Sequence, residues 1–273
     1  MDVSVKQPRQ LTRGRSLTIM FVAVAVVWAL WNIDALSPIA YPFRLFVTYV
    51  HEAGHSIMAI LTGGKVIGFT VSSDGSGLAT TAGGNRPLIL MAGYLGAALF
   101  GAALFYIVNV YHRSKTISVI IGFGIVMFTV MYARPDDTMM PIALFVGMFA
   151  GVMLVSIGLR APADVNQFVL NIFALMTALN AVFDIFYLTR INSITGNVCD
   201  TRTLLNDAAA FSCEVAPAIP PTVWALLWAG IALLMMAASV YYSVLRPFIN
   251  TQFEKASARK EAEEPEFDFS QFV

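Results

Sequence analysis

Seven apolar runs punctuate the 273-residue chain, and they restrict it to a bundle of helices in a lipid bilayer. A helix rising 1.5 Å per residue needs about 20 apolar residues to cross about 30 Å of hydrocarbon. Runs of that order occupy Ser16–Ile33, Pro42–Leu61, Pro87–Tyr111, Thr116–Ala133, Thr138–Leu159, Asn166–Thr189 and Thr222–Leu245. Composition agrees: 58% of residues are hydrophobic and 12% charged, against about 25% charged in soluble domains. The expected architecture is an all-α polytopic membrane protein with six or seven transmembrane helices.

The polar segments between these runs set the domain organisation. Arg134-Pro135-Asp136-Asp137 is the whole connection between the fourth and fifth runs, so those two form a helical hairpin. Residues 1–15 carry Lys6, Arg9, Arg13 and Arg15 and read as a basic cytoplasmic segment ahead of a retained first span. Residues 16–250 form one membrane-embedded domain. Residues 251–273 place Lys255, Arg259 and Lys260 before Glu261, Glu263, Glu264, Glu266 and Asp268, a composition that leaves a tail disordered. Formal net charge is zero, which argues against nucleic acid as a partner.

Lys and Arg do not segregate cleanly under seven strict crossings. If the second run enters and returns on one side, both termini and the loop from His112 to Lys115 become cytoplasmic, and the loop after Arg190 lies outside. That loop holds the only two cysteines, Cys199 and Cys213, for which a disulfide and a pair of unlinked thiols both stand open.

Within the second run lies His51-Glu52-Ala53-Gly54-His55. Histidines four apart on a helix leave the same face and can hold one Zn²⁺, with Glu52 placed to take a proton from the attacking water and return it to a leaving amine. The chain has three histidines and two are here. A charged or polar side chain at the bilayer centre costs roughly 2.5–3.5 kcal/mol, and metal coordination offsets that cost better than packing does. The third histidine, His112, stands at a helix end between Tyr111 and Arg113, where an interfacial role suffices.

A catalytic zinc takes three protein ligands and keeps one position open, so a third donor must come from elsewhere. Asp184 is the preferred candidate because it lies in the apolar run from Phe173 to Leu188, where an unpaired carboxylate is expensive. Asn180, one turn earlier on the same face, is placed to orient substrate. Asp207 is the alternative donor; its surroundings are less apolar, and an acid there can start a helix for backbone reasons alone. Asp136 and Asp137 need only a capping role.

Between the second and third runs, β-branched stretches within Gly63–Val71 and Leu78–Thr81 flank Asp74-Gly75, the pattern of a β-hairpin. Its exposed edge could hold a polypeptide extended beside the metal. In the third run Gly93, Gly96, Ala97, Gly101 and Ala102 supply a smooth surface for close helix packing, with no chemistry assigned to them.

Several of these blocks together resemble the site-2-protease class of intramembrane zinc metalloproteases, in its compact bacterial and plant branch. His51-Glu52-Ala53-Gly54-His55 is similar to the first metal motif, and Ala92-Gly93-Tyr94-Leu95-Gly96 to the small-residue motif that follows it. Asn180–Ile185 with Asn206-Asp207-Ala208 resembles the distal acidic region, so the likeness spans about Val50 to Trp228. The resemblance implies a zinc endopeptidase acting on membrane-embedded or membrane-adjacent polypeptides, an aspartate from a distant helix as third ligand, and a multi-pass place in a bacterial inner membrane. At that aspartate the chain has neither an Asn-Pro nor a Leu-Asp-Gly signature. The competing readings are a non-catalytic membrane regulator that binds zinc or a client, and a metal or ion transporter. Neither needs a base between the two histidines.

Overall fold

Each apolar run folds as a helix in the computed structural model, as it must where no water is present to satisfy free backbone N–H and C=O groups. The description covers residues 13–111, 113–136, 139–192, 206–250 and 257, without the side chains at 13, 180, 181 and 183–192. His112, Asp137, Cys199, residues 1–12 and, apart from residue 257, the tail 251–273 lie outside the described residues.

Helix α1 (Arg13–Asn32) leads through one 3₁₀ turn, Asp34–Leu36, into α2 (Ser37–Leu61). Strands β1 (Lys65–Val71) and β2 (Gly77–Ala82) follow as an antiparallel hairpin, then α3 (Arg86–Val110), α4 (Ser114–Tyr132), α5 (Ile142–Arg160) and α6 (Ala163–Asn192). A short α7 (Asp207–Glu214) and α8 (Pro221–Val240), continued by a π turn over Tyr241–Leu245, complete the order. Among the described residues five helices are long and apolar enough to cross a membrane: α1 from Gly14, α3, α4, α5, and α8 extended to Asn250. The long helices outside that set, α2 and α6, are the two on which the first metal motif and Asp184 fall. The chain is thus an all-α polytopic membrane protein with one small hairpin, as its sequence indicates.

Local chemistry accounts for the element ends. Asn85 caps α3 by accepting from the Leu88 amide at 3.2 Å, and Asn206 caps α7 through the Ala209 amide at 2.9 Å. Asp136 accepts from the Met140 amide at 2.9 Å and Met139 has φ of 63°, a closed turn that starts α5 at Ile142, later than composition suggests. At the hairpin tip Gly75 has φ of +90°, a backbone region that glycine enters without strain.

Among the described residues two apolar clusters hold the helices. In the larger, Tyr49 on α2 packs edge-on against Phe69 of β1 and reaches Thr129 on α4 at 2.8 Å, while Phe46 meets Phe173 of α6. In the smaller, Phe211 of α7 packs against Trp224 and Trp228 of α8, and Tyr94 of α3 against Trp228. Ala208, Ala209 and Ala210 of α7 are buried, so this short helix is docked on the bundle.

Small residues let helix backbones close on each other, as expected for α3. A Cβ at Gly54 of α2 would overlap the Ala92 carbonyl oxygen of α3, and one at Gly101 would stand 2.5 Å from the Ala174 carbonyl oxygen and Ala178 nitrogen of α6. Helix α6 runs antiparallel to α3: Gln167 and Asn171 hydrogen-bond Asn109, whereas Ala174 and Ala178 face Gly101. Continuing that register carries the α6 backbone at 184 toward the level of Gly93.

Candidate metal centre

His51 and His55 project from α2 with ring centroids 4.8 Å apart, edge to face. One atom from each of His51, Glu52 and His55 lies within 4.8 Å of the others. Asp207 comes to this cluster from the first turn of α7. Its Oδ2 stands 2.8 Å from His51 Nε2 and 3.2 Å from His55 Nε2. Asn206 takes the capping duty at that helix start, which leaves the Asp207 carboxylate for the imidazoles.

Each group is oriented by a neighbour. His55 Nδ1 is 2.6 Å from the Ile89 carbonyl oxygen of α3, an acceptor only, so Nδ1 carries the proton and Nε2 turns toward Asp207. The ring of Tyr94 stands edge-on to His51 at 4.6 Å. Glu52 is buried beside the backbone of Ala79 on β2. A Cβ at Gly77 would stand 2.5 Å from Glu52 Oε1, so glycine lets β2 lie directly on this carboxylate. Across the site a Cβ at Gly93 would overlap both Nε2 atoms. Gly93 therefore borders the centre itself, whereas Gly96 and Gly101 keep the packing role read from sequence.

The donors fit a divalent metal. The Nε2 atoms of His51 and His55 converge on one carboxylate oxygen of Asp207, at 2.8 and 3.2 Å, so three possible donor atoms share one point. Two imidazole nitrogens and one carboxylate oxygen form a known catalytic zinc set. Donor atoms about 2.0–2.1 Å from one tetrahedral ion stand about 3.3 Å apart, so the contacts at 2.8 and 3.2 Å need open only slightly. The space over Gly93, which a methyl group would fill, lies where the nitrogens converge.

Of the residues singled out in the sequence, the structure brings together His51, Glu52, His55 and Asp207. Asn180 and Asp184 fall on α6, but their side chains lie outside the described residues. Cys213 is disulfide-bonded, and Cys199 lies outside the described residues.

Sequence reasoning did not single out Gly77, Ala79, the Ile89 carbonyl or the pair Arg86 and Glu214. Arg86 Nε donates to Glu214 Oε2 at 2.8 Å and its Nη2 to Oε1 at 3.1 Å, tying the start of α3 to the end of α7. The bonds from Arg86 hold the Glu214 carboxyl below the usual carboxylate range. An Asn-Arg-Pro run after the hairpin signals a helix start; nothing in the sequence signals the partner more than a hundred residues away.

A family model described as Peptidase M50B-like matches residues 18–239. No curated protein and no solved structure matches the chain.

Proposed function

From the membership of this chain in the Peptidase M50B-like family, we propose that it is a zinc endopeptidase cleaving membrane-embedded or membrane-adjacent polypeptides, with His51, His55 and Asp207 as ligands and Glu52 as base and acid. The bacterial inner membrane is the compartment proposed with it. The observation that carries this reading is the meeting of both Nε2 atoms with one oxygen of Asp207, beside a buried carboxylate that is not committed to them. Asp207 takes precedence over Asp184, because its carboxylate is at the imidazoles.

When bound, zinc supplies Lewis acidity, lowering the pKa of water toward about 7 and polarising a carbonyl. The protein groups do the rest. The Ile89 carbonyl fixes the tautomer of His55, so Nε2 offers a lone pair. Glu52 takes the proton of the attacking water on its carboxylate and delivers it to the leaving amine nitrogen, and burial beneath β2 keeps bulk water from competing for that proton.

Strand β2 supplies a place for the substrate. One edge of it pairs with β1, whose far edge is bridged at Phe69 to Ala133. The other edge is the one to which the Ala79 amide turns, because Ala79 pairs with Phe69, whose carbonyl bonds Arg134 on the side away from β2; Glu52 lies beside Ala79. A peptide bond in a helix is shielded, so a substrate that adds to this edge as an extended strand is presented to Glu52 already unwound. By strand periodicity the Thr81 amide points to the same edge as that of Ala79. Thr81→Pro is expected to lower kcat/KM by about 2- to 10-fold, the worth of one hydrogen bond of about 0.5–1.5 kcal/mol, while zinc content holds. Unchanged kinetics would remove the edge from the mechanism.

The function itself is tested with purified protein in lipid nanodiscs and a membrane-spanning peptide. Chelation should end cleavage, and stoichiometric zinc should restore it. Full zinc occupancy without cleavage of any membrane peptide would sink the peptidase reading in favour of a zinc-binding regulator.

A further inference from the structure

We infer that Arg86 is a positioning residue for the metal: by gripping Glu214 at one end of α7, it holds Asp207, at the other end, against His51 and His55. The inference rests on the reading of Asp207 as a ligand. Helix α7 has eight residues, too few to be stable in isolation, so its place depends on what it is docked against. Its buried alanines and Phe211 give it a seat, but alanine faces are smooth and set rotation weakly. Arg86 adds direction, because a planar guanidinium bonded to both carboxylate oxygens permits one orientation of Glu214.

The same turn of α3 serves the other ligand helix. Arg86 and Ile89 are three residues apart, hence on one face; Arg86 holds α7, and the Ile89 carbonyl holds the His55 ring of α2 at 2.6 Å. Asn85 caps this turn, and Pro87 presets its backbone. One turn thus sets the relative bearing of ligands that are more than 150 positions apart in the chain. Cys213, beside Glu214, is disulfide-bonded, a second restraint on the same end of α7.

Two other roles make different forecasts. The Arg86 and Glu214 side chains are 52% and 35% exposed, and such pairs contribute little to global stability, so a merely structural role leaves zinc affinity alone. A direct field effect has the opposite sign: removing a cation near a bound dication would tighten metal binding.

The test measures zinc affinity by chelator competition on the full chain in nanodiscs, with helical content and thermal unfolding followed alongside. Arg86→Ala is expected to weaken zinc about tenfold, as loss of a ligand-orienting partner does, with unfolding unchanged. Arg86→Lys, which keeps charge but loses the two-point grip, falls between. Exchanging the pair, Arg86→Glu with Glu214→Arg, restores most of the affinity and serves if the alanine variant folds poorly. In an Asp207→Ala background, Arg86→Ala adds nothing. Equal or tighter zinc binding by Arg86→Ala, or the same tenfold loss without Asp207, overturns the inference and leaves the peptidase reading standing. A wild-type protein that binds no zinc overturns both.

Discussion

Glu52→Gln is expected to retain zinc and to lose peptide hydrolysis by about 10²–10⁴-fold, the range of general acid–base catalysis. The upper end applies, because one carboxylate both removes the proton of water and returns it to the amine. The substitution is nearly isosteric: a glutamine side chain still fits beneath Gly77, so β2 keeps its place. Metal analysis of the purified variant, beside cleavage of a membrane-spanning peptide, separates the two properties. In cells, small membrane polypeptides should accumulate only with the variant, which would also reveal the substrates. Wild-type turnover by Glu52→Gln would rule out the mechanism.

The second large effect concerns the third ligand. Removing one partner from a desolvated charged pair costs about 3–5 kcal/mol, so Asp207→Ala is expected to weaken zinc on the order of 10²–10⁴-fold. Asp184→Ala is expected to retain it. The contrast, read by chelator competition on the two proteins, is the measurement that matters, since α6 carries the backbone of 184 toward the same level. An emptied site in Asp184→Ala, with zinc retained in Asp207→Ala, would exchange the two assignments.

That pair of aspartates shows where sequence reasoning succeeds. Hydropathy runs mark helices because lipid leaves the backbone no alternative, and His51, Glu52 and His55 are legible because helical spacing is local. The hairpin is equally local, announced by Asp74-Gly75. The approach of Asp207 to the imidazoles is not, since the cost of burial points to an acid within an apolar helix and composition cannot show that a short, mildly polar helix folds back onto the bundle. Asn206 explains the ambiguity: in Asn206-Asp207 either residue could start a helix, and only the structure shows that Asn206 does so. Gly93 illustrates the same limit from the other side. Its spacing marks a small helix face, but the face meets imidazoles at Gly93, α2 backbone at Gly96 and α6 backbone at Gly101.

The meeting of Gly54 with the Ala92 carbonyl has a consequence for how the site endures thermal motion. Turning α2 about its own axis by one residue, about 100°, would push Ala53 or His55 into a gap that admits no side chain. The metal-bearing helix is therefore keyed in azimuth against α3, and lipid fluctuations that tilt the bundle leave the two imidazoles aimed at one point.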